Sequence, residues 1–436
     1  MSKLSATWIG RYVGLLLGTV MGLMPLSSAP PKSTTLYGFP GEPAGSFPEG
    51  GVAVGPSGVV YGTTWAGGAY GWGTIFEVLP PASQGQPWTQ KTLYNFTGGA
   101  DGANPSGSIA LASDSVIYGT TYQGGTTGYG TVYELTPFAG GVWTEKTLYT
   151  FRGGSDGANP QSGVTLSTSF ILYGTTVNGG TPGYGTVFSL SPVTGGSWNE
   201  FVLYTFNGGT IDGANPQAPP ILSSSGLYGT TPAGGASGFG TVYQITVTGG
   251  NPVETILYSF MGSTDGATPQ SSLVLGSGGV LYGSAYYGGG TGCALGGYVQ
   301  GCGTIFELAP PINGGTTWTY SVIHQFSGTG TDGAYPYGPL ALTAGGALYG
   351  STVAGGNTSD VCFPASFVGC GTVYRFRPPS GTGGSWSGGT MTAFNGSNGG
   401  GPNGVALYSK TGALFGTTYT GGSQGPGYGT VFEVVP

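Results

Sequence analysis

The stretch Ile171–Leu190, with the sequence ILYGTTVNGGTPGYGTVFSL, recurs along the chain in seven near-copies. Its tyrosine, Tyr173, has counterparts at Tyr61, Tyr118, Tyr228, Tyr282, Tyr349 and Phe415. Successive copies are 57, 55, 55, 54, 67 and 66 residues apart. This spacing suits a four-stranded sheet with its turns. The chain is therefore predicted to be a tandem-repeat protein.

The composition indicates an all-β fold. Of 436 residues, 94 are glycine and 31 proline, 13% are aromatic and only 6% are charged. Glycine in a helix interior costs about 1 kcal/mol relative to alanine, so glycine at this density belongs in turns and strands. The repeat continues almost from end to end without a change in composition, which favours one repeat array over several domains.

Each repeat predicts four short strands, named A to D in chain order. In one repeat they are Ser162–Ser167 (A), the YGTT segment at 173–176 (B), Gly185–Leu190 (C) and Leu203–Phe206 (D). Hairpin-length turns link them into a meander. Seven such sheets hide their faces and most of their edges when packed around an axis. The expected fold is an all-β, seven-bladed β-propeller with four-stranded antiparallel blades.

The two ends of the chain indicate how the ring closes. A D-type motif stands first, at Leu36–Phe39, and the last repeat reaches only a C-type motif at Gly429–Val434. We therefore expect the N-terminal strand to complete the last blade. A β-propeller needs this complementarity, whereas an open solenoid would need polar caps.

Residues 1–29 differ from the repeats. Lys3 and Arg11 precede an apolar run, Tyr12–Leu26, and small residues follow up to Ala29. This pattern predicts a signal peptide, 1–29, followed by a single propeller, 30–436, in a secreted or periplasmic protein. A short membrane anchor is the alternative. No second apolar segment predicts a transmembrane span, and a net charge of −7 without a basic stripe argues against nucleic-acid binding.

The four cysteines lie in the two longest repeats, in insertions between strands B and C. Cys293 and Cys302 share one insertion, and Cys362 and Cys370 share the other. Three pairings are formally available, and local pairs would staple each insertion in an exported protein. We therefore favour disulfides 293–302 and 362–370. A zinc site would require four thiolates from adjacent loops to converge.

The LYGTT…GG…GYGTVF-L pattern, with DGANP between copies, resembles the GloVer tandem repeat over about residues 33–436. That repeat occurs in exported bacterial proteins described as choice-of-anchor proteins. The resemblance implies a repeat architecture and export. It supplies no activity, cofactor or catalytic residue to transfer to this chain.

In a propeller the D-to-A segments and the B-to-C loops emerge on one face, named here the loop face. Five consecutive D-to-A segments carry an aspartate, at Asp101, Asp156, Asp212, Asp265 and Asp332. One interpretation is that each carboxylate fixes its own turn through backbone N–H groups. The functional alternative is that some of them surround the central channel and bind Ca²⁺ or a polyhydroxylated ligand. No other metal or cofactor is expected.

Aromatic residues are concentrated in the B-to-C loops and could stack on sugar rings. Those in Gly-aromatic-Gly triplets, such as Trp72, are expected to pack between blades. Trp65, Tyr286 and Tyr287 depart most from the repeat pattern and are the better ligand-binding candidates. His324, the only histidine, replaces a strand D tyrosine and is expected to be a packing or surface residue.

Three functional hypotheses follow. The first is an exported binding module for an extracellular carbohydrate or other polymer. The second is a hydrolase or lyase acting on a polysaccharide, with Asp156, Asp212 and Asp265 as candidate catalytic residues; glycoside hydrolysis would need two carboxyl groups roughly 5–10 Å apart. The third is a structural protein of the cell envelope.

Overall fold

The computed structural model describes residues 31–436, except 114, 249–250, 291, 296–298, 313–314, 358–361, 363–367, 382 and 423–426. The predicted signal peptide lies outside the described residues and stays a prediction. Residues 31–436 form one compact unit. Seven antiparallel sheets of the expected A-B-C-D order confirm the seven-bladed β-propeller.

Strands A and B form the inner half of each blade. Strand A comprises, in blades 1 to 7, Ala53–Val54, Ala103–Leu111, Thr165–Leu166, Ile221–Ser223, Val274–Leu275, Gly333–Leu342, and the two pieces Gly400–Pro402 and Ala406–Leu407. Strand B comprises Val60–Thr64, Ile117–Gln123, Leu172–Thr176, Gly226–Thr231, Leu281–Ala285, Leu348–Gly355 and Leu414–Thr420.

Strands C and D form the outer half. Strand C comprises Thr74–Leu79, Thr131–Phe138, Thr186–Pro192, Thr241–Thr248, Thr304–Ala309, Thr372–Arg377 and Thr430–Val435. Strand D comprises Thr89–Asn95, Val142–Thr150, Trp198–Thr205, Asn251–Ser259, Thr319–Gln325, Ser387–Ala393 and, in blade 7, Lys32–Gly38. Short extra strands pair Gly213–Ala214 with Ala233–Gly234 and Ala294–Leu295 with Val299–Gln300. The only helices among the described residues are single 3₁₀ turns, Gly154–Asp156 and Ser277–Gly279.

The N-terminal strand closes the ring as expected. Lys32–Gly38 pairs antiparallel with strand C of blade 7, from Lys32 opposite Val435 to Gly38 opposite Thr430. The Phe39 amide then donates to the Gly429 carbonyl over 2.9 Å. The last sheet is thus built from both ends of the described chain.

The core lies between the blades. The phenylalanine that directly follows strand D packs against the aromatic ring of strand C in the next blade at all seven interfaces, as in Phe206 against Tyr243. The centroid distances of these pairs span 4.9–5.4 Å. Because both rings are fully or almost fully buried, each pair removes a large apolar area from water.

The YGTT segment has this sequence because strand C lies against it. Gly174 is opposite Phe188, and a Cβ on Gly174 would lie 2.4 Å from the Phe188 ring. Glycine therefore makes room for the core aromatic. The second threonine, Thr176, shares a 2.8 Å hydrogen bond with Thr186 at the start of strand C.

The D-to-A segments are more ordered than the turns expected from DGANP. Asn104, Asn159 and Asn215 adopt left-handed φ values of 57° to 58°. This bend divides the segment, and its first part pairs with the B-to-C loop, as in Ala158 opposite Asn178. Local turn chemistry predicted the bend but not this pairing, because the partner lies about twenty residues away in sequence.

Candidate functional site

The loop face brings the D-to-A segments and the B-to-C loops together, as expected. The amides of Asn104, Asn159 and Asn215 donate to the carbonyls of Trp72, Tyr129 and Tyr184, respectively, over 2.7–2.9 Å. The Asn159 side chain also donates to the Tyr122 carbonyl over 3.0 Å. Each D-to-A segment is therefore fixed to the preceding B-to-C loop, so the loop face is held by the scaffold.

The five repeated aspartates are used by their own turns. The Asp212 carboxylate accepts hydrogen bonds from the Asn207 amide over 2.7 Å and from the Tyr204 hydroxyl, on strand D, over 3.0 Å. The same pair of donors, a backbone amide and a strand D side chain, serves Asp101, Asp156, Asp265 and Asp332. Each aspartate is thus held within its own repeat and beside its outermost strand.

His324 occupies the place of this strand D tyrosine in blade 5. Its Nε2 lies 3.2 Å from an oxygen of Asp332, and its ring packs edge-on against Phe326. Burial opposes ionisation of Asp332, but hydrogen bonds from His324 and Ser327 outweigh it and lower the pKa of Asp332. His324 is therefore a structural partner of the turn.

Trp65, Tyr286 and Tyr287 contribute to aromatic contacts at the blade boundaries. Trp65 of blade 1 lies 5.6 Å from Tyr122 of blade 2, between ring centroids. Tyr286 of blade 5 stacks on Tyr335 at 5.3 Å and meets Tyr287 at 4.7 Å. All three candidates are half-buried, and burial raises the pKa of Tyr286 and Tyr287.

The structure reveals a pocket on the axis that sequence reasoning missed. Each blade contributes the residue that directly follows the proline of its D-to-A segment. These seven residues are Glu49, Ser106, Gln161, Gln217, Gln270, Tyr337 and Asn403. Every one has a hydrogen-bonding side chain, which was the available signal. The residue type at this position differs between repeats, so the repeat pattern does not single it out.

Most of these side chains have unused hydrogen-bonding capacity. The Asn403 amide donates to the Pro48 carbonyl over 2.8 Å, and Ser106 donates to the Pro160 carbonyl over 3.4 Å. Within the part of the chain that the structure describes, the side chains of Gln161, Gln217 and Gln270 make no hydrogen bond to protein. They present free amide donors and acceptors to one small volume.

Glu49 is the only charged residue that lines the pocket among the described residues. Burial raises the pKa of Glu49 from 4.5 to about 7. Burial, assisted by the negative charge of Glu49, raises the pKa of Tyr337 to about 12. At neutral pH the Glu49 carboxyl is therefore divided between its protonated and ionised forms, while Tyr337 is a neutral donor.

Small residues form the floor of this pocket by letting the strand A backbones converge. A Cβ on Gly50 would lie 2.1 Å from the Gly107 carbonyl oxygen of the next blade. A Cβ on Gly51 would lie 3.3 Å from Pro339, although blade 7 stands between blades 1 and 6 in the ring. The remaining cavity is about 60 Å³, enough for a few water molecules or one small polar group.

The triplet aromatics Phe239 and Tyr428, in blades 4 and 7, are half-buried and pack against the core between blades as expected, whereas those of blades 1 to 3 do not. The rings of Trp72, Tyr129 and Tyr184 cover glycines of the D-to-A segments, and 42–44% of each residue's surface is exposed. The corresponding residue in blades 5 and 6 is a cysteine. The disulfides Cys293–Cys302 and Cys362–Cys370 confirm the predicted local pairing and exclude the four-thiolate zinc site.

Within the described residues, no group of three or more His, Cys, Asp or Glu side chains is arranged to hold a metal ion. The structure thus adds no support for a Ca²⁺ site there. The same residues contain no helix long and apolar enough to span a bilayer. The two disulfides indicate an oxidising, non-cytoplasmic compartment.

Comparison with known sequences establishes the family. The pattern that defines the Gloeobacter/Verrucomicrobia repeat matches residues 17–197 and 143–293, together more than half of the chain. This chain belongs to the Gloeobacter/Verrucomicrobia repeat family. The expected resemblance is therefore confirmed. No curated protein matches the sequence significantly.

A solved structure with a TM-score above 0.5 supports the fold of this Gloeobacter/Verrucomicrobia repeat protein. An ancestral GH74 enzyme is 14% identical, with a TM-score of 0.51 over 89% of this chain and 48% of that one. The PQQ-bound aldose sugar dehydrogenase of Streptomyces coelicolor is 15% identical, with a TM-score of 0.42 over 93% of this chain and 100% of the other. At 14% identity the likeness to the GH74 enzyme shows architecture alone.

Proposed function

We propose that this protein is an exported binding module for a carbohydrate, or another polyhydroxylated ligand, which places one of its polar groups in the axial pocket of its loop face. The observation that carries the proposal is the ring of seven hydrogen-bonding side chains, one from each blade, around that pocket. Rigid blades hold these groups before the ligand arrives, which reduces the entropy lost on binding.

The chemistry of the ring favours hydroxyl groups as its ligands. Each side-chain amide of Gln161, Gln217 and Gln270 offers both donors and an acceptor, and a sugar hydroxyl is itself both donor and acceptor. A phosphate ligand is disfavoured because no lysine or arginine lines the described pocket. A hard cation is disfavoured because the pocket supplies a single carboxylate, Glu49.

The test is oligosaccharide binding, measured by calorimetry after a glycan-array screen. We expect Gln217→Ala and Gln270→Ala each to weaken affinity by about 5- to 10-fold, which corresponds to roughly one hydrogen bond. Gln84→Ala, at an exposed turn remote from the axis in sequence and topology, is the matched control. Unchanged affinity in both pocket variants would exclude the axial site.

A polysaccharide hydrolase or lyase remains the alternative function, and Glu49 is the observation that favours it. A carboxyl with a pKa of about 7 suits a general acid. Glycoside hydrolysis normally needs a second carboxyl, and the described pocket lining contains none. Asp156, Asp212 and Asp265 bind their own turns instead. Release of reducing ends from polysaccharides, abolished in Glu49→Gln, would establish this alternative over simple binding.

The third hypothesis, a structural protein of the envelope, predicts that loop-face substitutions leave function unchanged. A complete absence of glycan binding by the folded wild-type protein would favour that hypothesis.

A further inference from the structure

We propose that Trp72, Tyr129 and Tyr184 form a row of stacking platforms on the loop face of blades 1 to 3, which binds sugar rings of an uncharged polysaccharide. This site is distinct from the axial pocket, and it rests on the proposed carbohydrate function. It would let the protein hold a polymer at several points, whereas the pocket accepts one small polar group.

The first argument is the orientation of the three rings. A Cβ built on Gly98 would lie 2.5–2.7 Å from Nε1, Cδ1 and Cε2 of Trp72, so this glycine faces the ring plane. Gly153 faces three ring atoms of Tyr129 at 3.0–3.3 Å, and Gly208 faces three of Tyr184 at 3.0–3.2 Å. Each ring therefore rests one face on a glycine backbone.

The second argument is the exposure of the opposite faces. Trp72 and Tyr129 are each 44% exposed, and Tyr184 is 42% exposed. An aromatic ring that rests one face on a glycine, in a residue exposed to this extent, presents its other face to solvent. Sugars have an apolar C–H face that stacks on such a surface, and the rigid ring loses little conformational entropy when it is covered.

The third argument is that folding does not require these exposed rings. In blade 5 the same position is Cys302, and its disulfide with Cys293 covers the equivalent glycine, Gly328. The repeat therefore folds with a buried cysteine in place of the exposed aromatic residue. Blades 4 and 7 keep a half-buried aromatic at this position, Phe239 and Tyr428, whereas three consecutive blades expose more than 40% of a large aromatic residue there and so leave it accessible to a ligand.

The surrounding charges favour a neutral polymer. Asp101, Asp156 and Asp212 lie on the same three D-to-A segments as Gly98, Gly153 and Gly208. Arg152 is the one basic residue on these three segments, so their net charge is negative and opposes the binding of an anionic chain. Uncharged hexose or pentose polymers avoid this repulsion and retain the stacking energy.

The test is affinity gel electrophoresis of the full-length protein in gels containing hydroxyethyl cellulose, xylan, galactomannan or pullulan, with anionic alginate for comparison. We expect at least one neutral polymer to retard the protein. Trp72→Ala, Tyr129→Ala and Tyr184→Ala should each raise its dissociation constant about 3- to 10-fold, as expected for loss of one stacked ring. Tyr129→Phe should bind like the wild type because it keeps the ring.

Phe138→Ala is the matched control, since Phe138 is 59% exposed but ends strand C, next to a C-to-D turn. Hydroxyl-radical footprinting of the wild-type protein provides a measurement that does not depend on variants folding. The retarding polymer should protect the peptides that contain Trp72, Tyr129 and Tyr184. Absence of protection there would overturn the proposal.

The binding measurements can reject either proposed site independently of the other. Loss of polymer binding in the platform variants, with axial-pocket variants unchanged, would support the platforms and reject the pocket. A triple platform variant that migrates like the wild type would overturn the platforms whatever the pocket does. Retardation by alginate alone, or binding of a proline-rich peptide without any neutral polysaccharide, would also overturn the proposal.

Discussion

At the scale of single residues, repetition marks structure more reliably than function in this protein. Asp101, Asp156, Asp212, Asp265 and Asp332 recur because each turn needs an acceptor for the same amide and the same strand D donor. When the tyrosine donor changes to His324, the hydrogen bond to aspartate persists. The constraint therefore acts on the contact, and two different side chains satisfy it.

This role predicts that Asp212→Ala reduces stability. Asp212 is only 3% exposed and accepts hydrogen bonds from Asn207, Gly213 and Tyr204. Removing a buried acceptor of this kind leaves donors unpaired and should cost about 2–4 kcal/mol. The free energy of unfolding in guanidinium measures this loss. If Asp212 were instead catalytic or ligand-binding, the variant would lose function without this loss of stability.

At the scale of strands and loops, different side chains again make the same structural contact. The loop before strand C places either an aromatic ring or a disulfide over a glycine of the D-to-A segment. Both are compact and apolar, so both shield the turn. This equivalence explains why Cys302 and Cys370 stand at the aromatic position of the triplet. Shielding of the glycine therefore does not require the exposed rings that form the platforms.

The strand that closes the ring gives an element-scale prediction. Deleting residues through Phe39 should expose the edge of strand C in blade 7 and remove a ring that is 1% exposed. Unpaired edges promote association, and loss of such an aromatic costs about 3–5 kcal/mol. Light scattering after chromatography should show aggregates, and the melting temperature should fall.

A synthetic peptide spanning residues 32–39 should restore the monomer and the melting temperature, whereas a scrambled peptide should not. A truncated protein that remains monomeric with an unchanged melting temperature would show that strand Lys32–Gly38 contributes little to closure.

At the scale of the whole molecule, half-buried glutamates in blades 2 to 4, together with Glu49, make stability depend on pH. Burial raises the pKa of Glu145, Glu200 and Glu254 to about 7, and the aspartate of the preceding repeat adds to each shift. Burial raises the pKa of Glu49 to the same range. The folded state therefore binds protons more tightly than the unfolded chain, where glutamate titrates near 4.5.

The sign of the pH dependence follows from these shifts. Stability should be highest just below the unfolded pKa and should fall as pH rises through the window from about 4.5 to 7. The lowered pKa of Asp332 acts in the opposite sense and favours folding above its ordinary value of 3.8. The melting temperature should therefore decrease between about pH 5 and pH 8.

The triple variant Glu145→Gln, Glu200→Gln, Glu254→Gln should flatten this decrease, because glutamine imitates the protonated carboxyl. Glu42→Gln, at an exposed position, serves as the control. A wild-type melting temperature that rises with pH over this window would contradict the prediction.

The sequence by itself determined the repeat, the four-stranded blade, the number of blades, the closing strand and the disulfide pairing. Each depends on the order and period of the motifs or on residues close together in one insertion, which need no coordinates. Tertiary structure alone decided where side chains from different blades meet. Glu49 and Gln217 are different residue types in different repeats. Only the closed ring of blades places both beside one axis. Likewise, the exposed face of Trp72 depends on how Gly98, twenty-six residues away, supports the ring. A one-dimensional pattern does not contain that orientation.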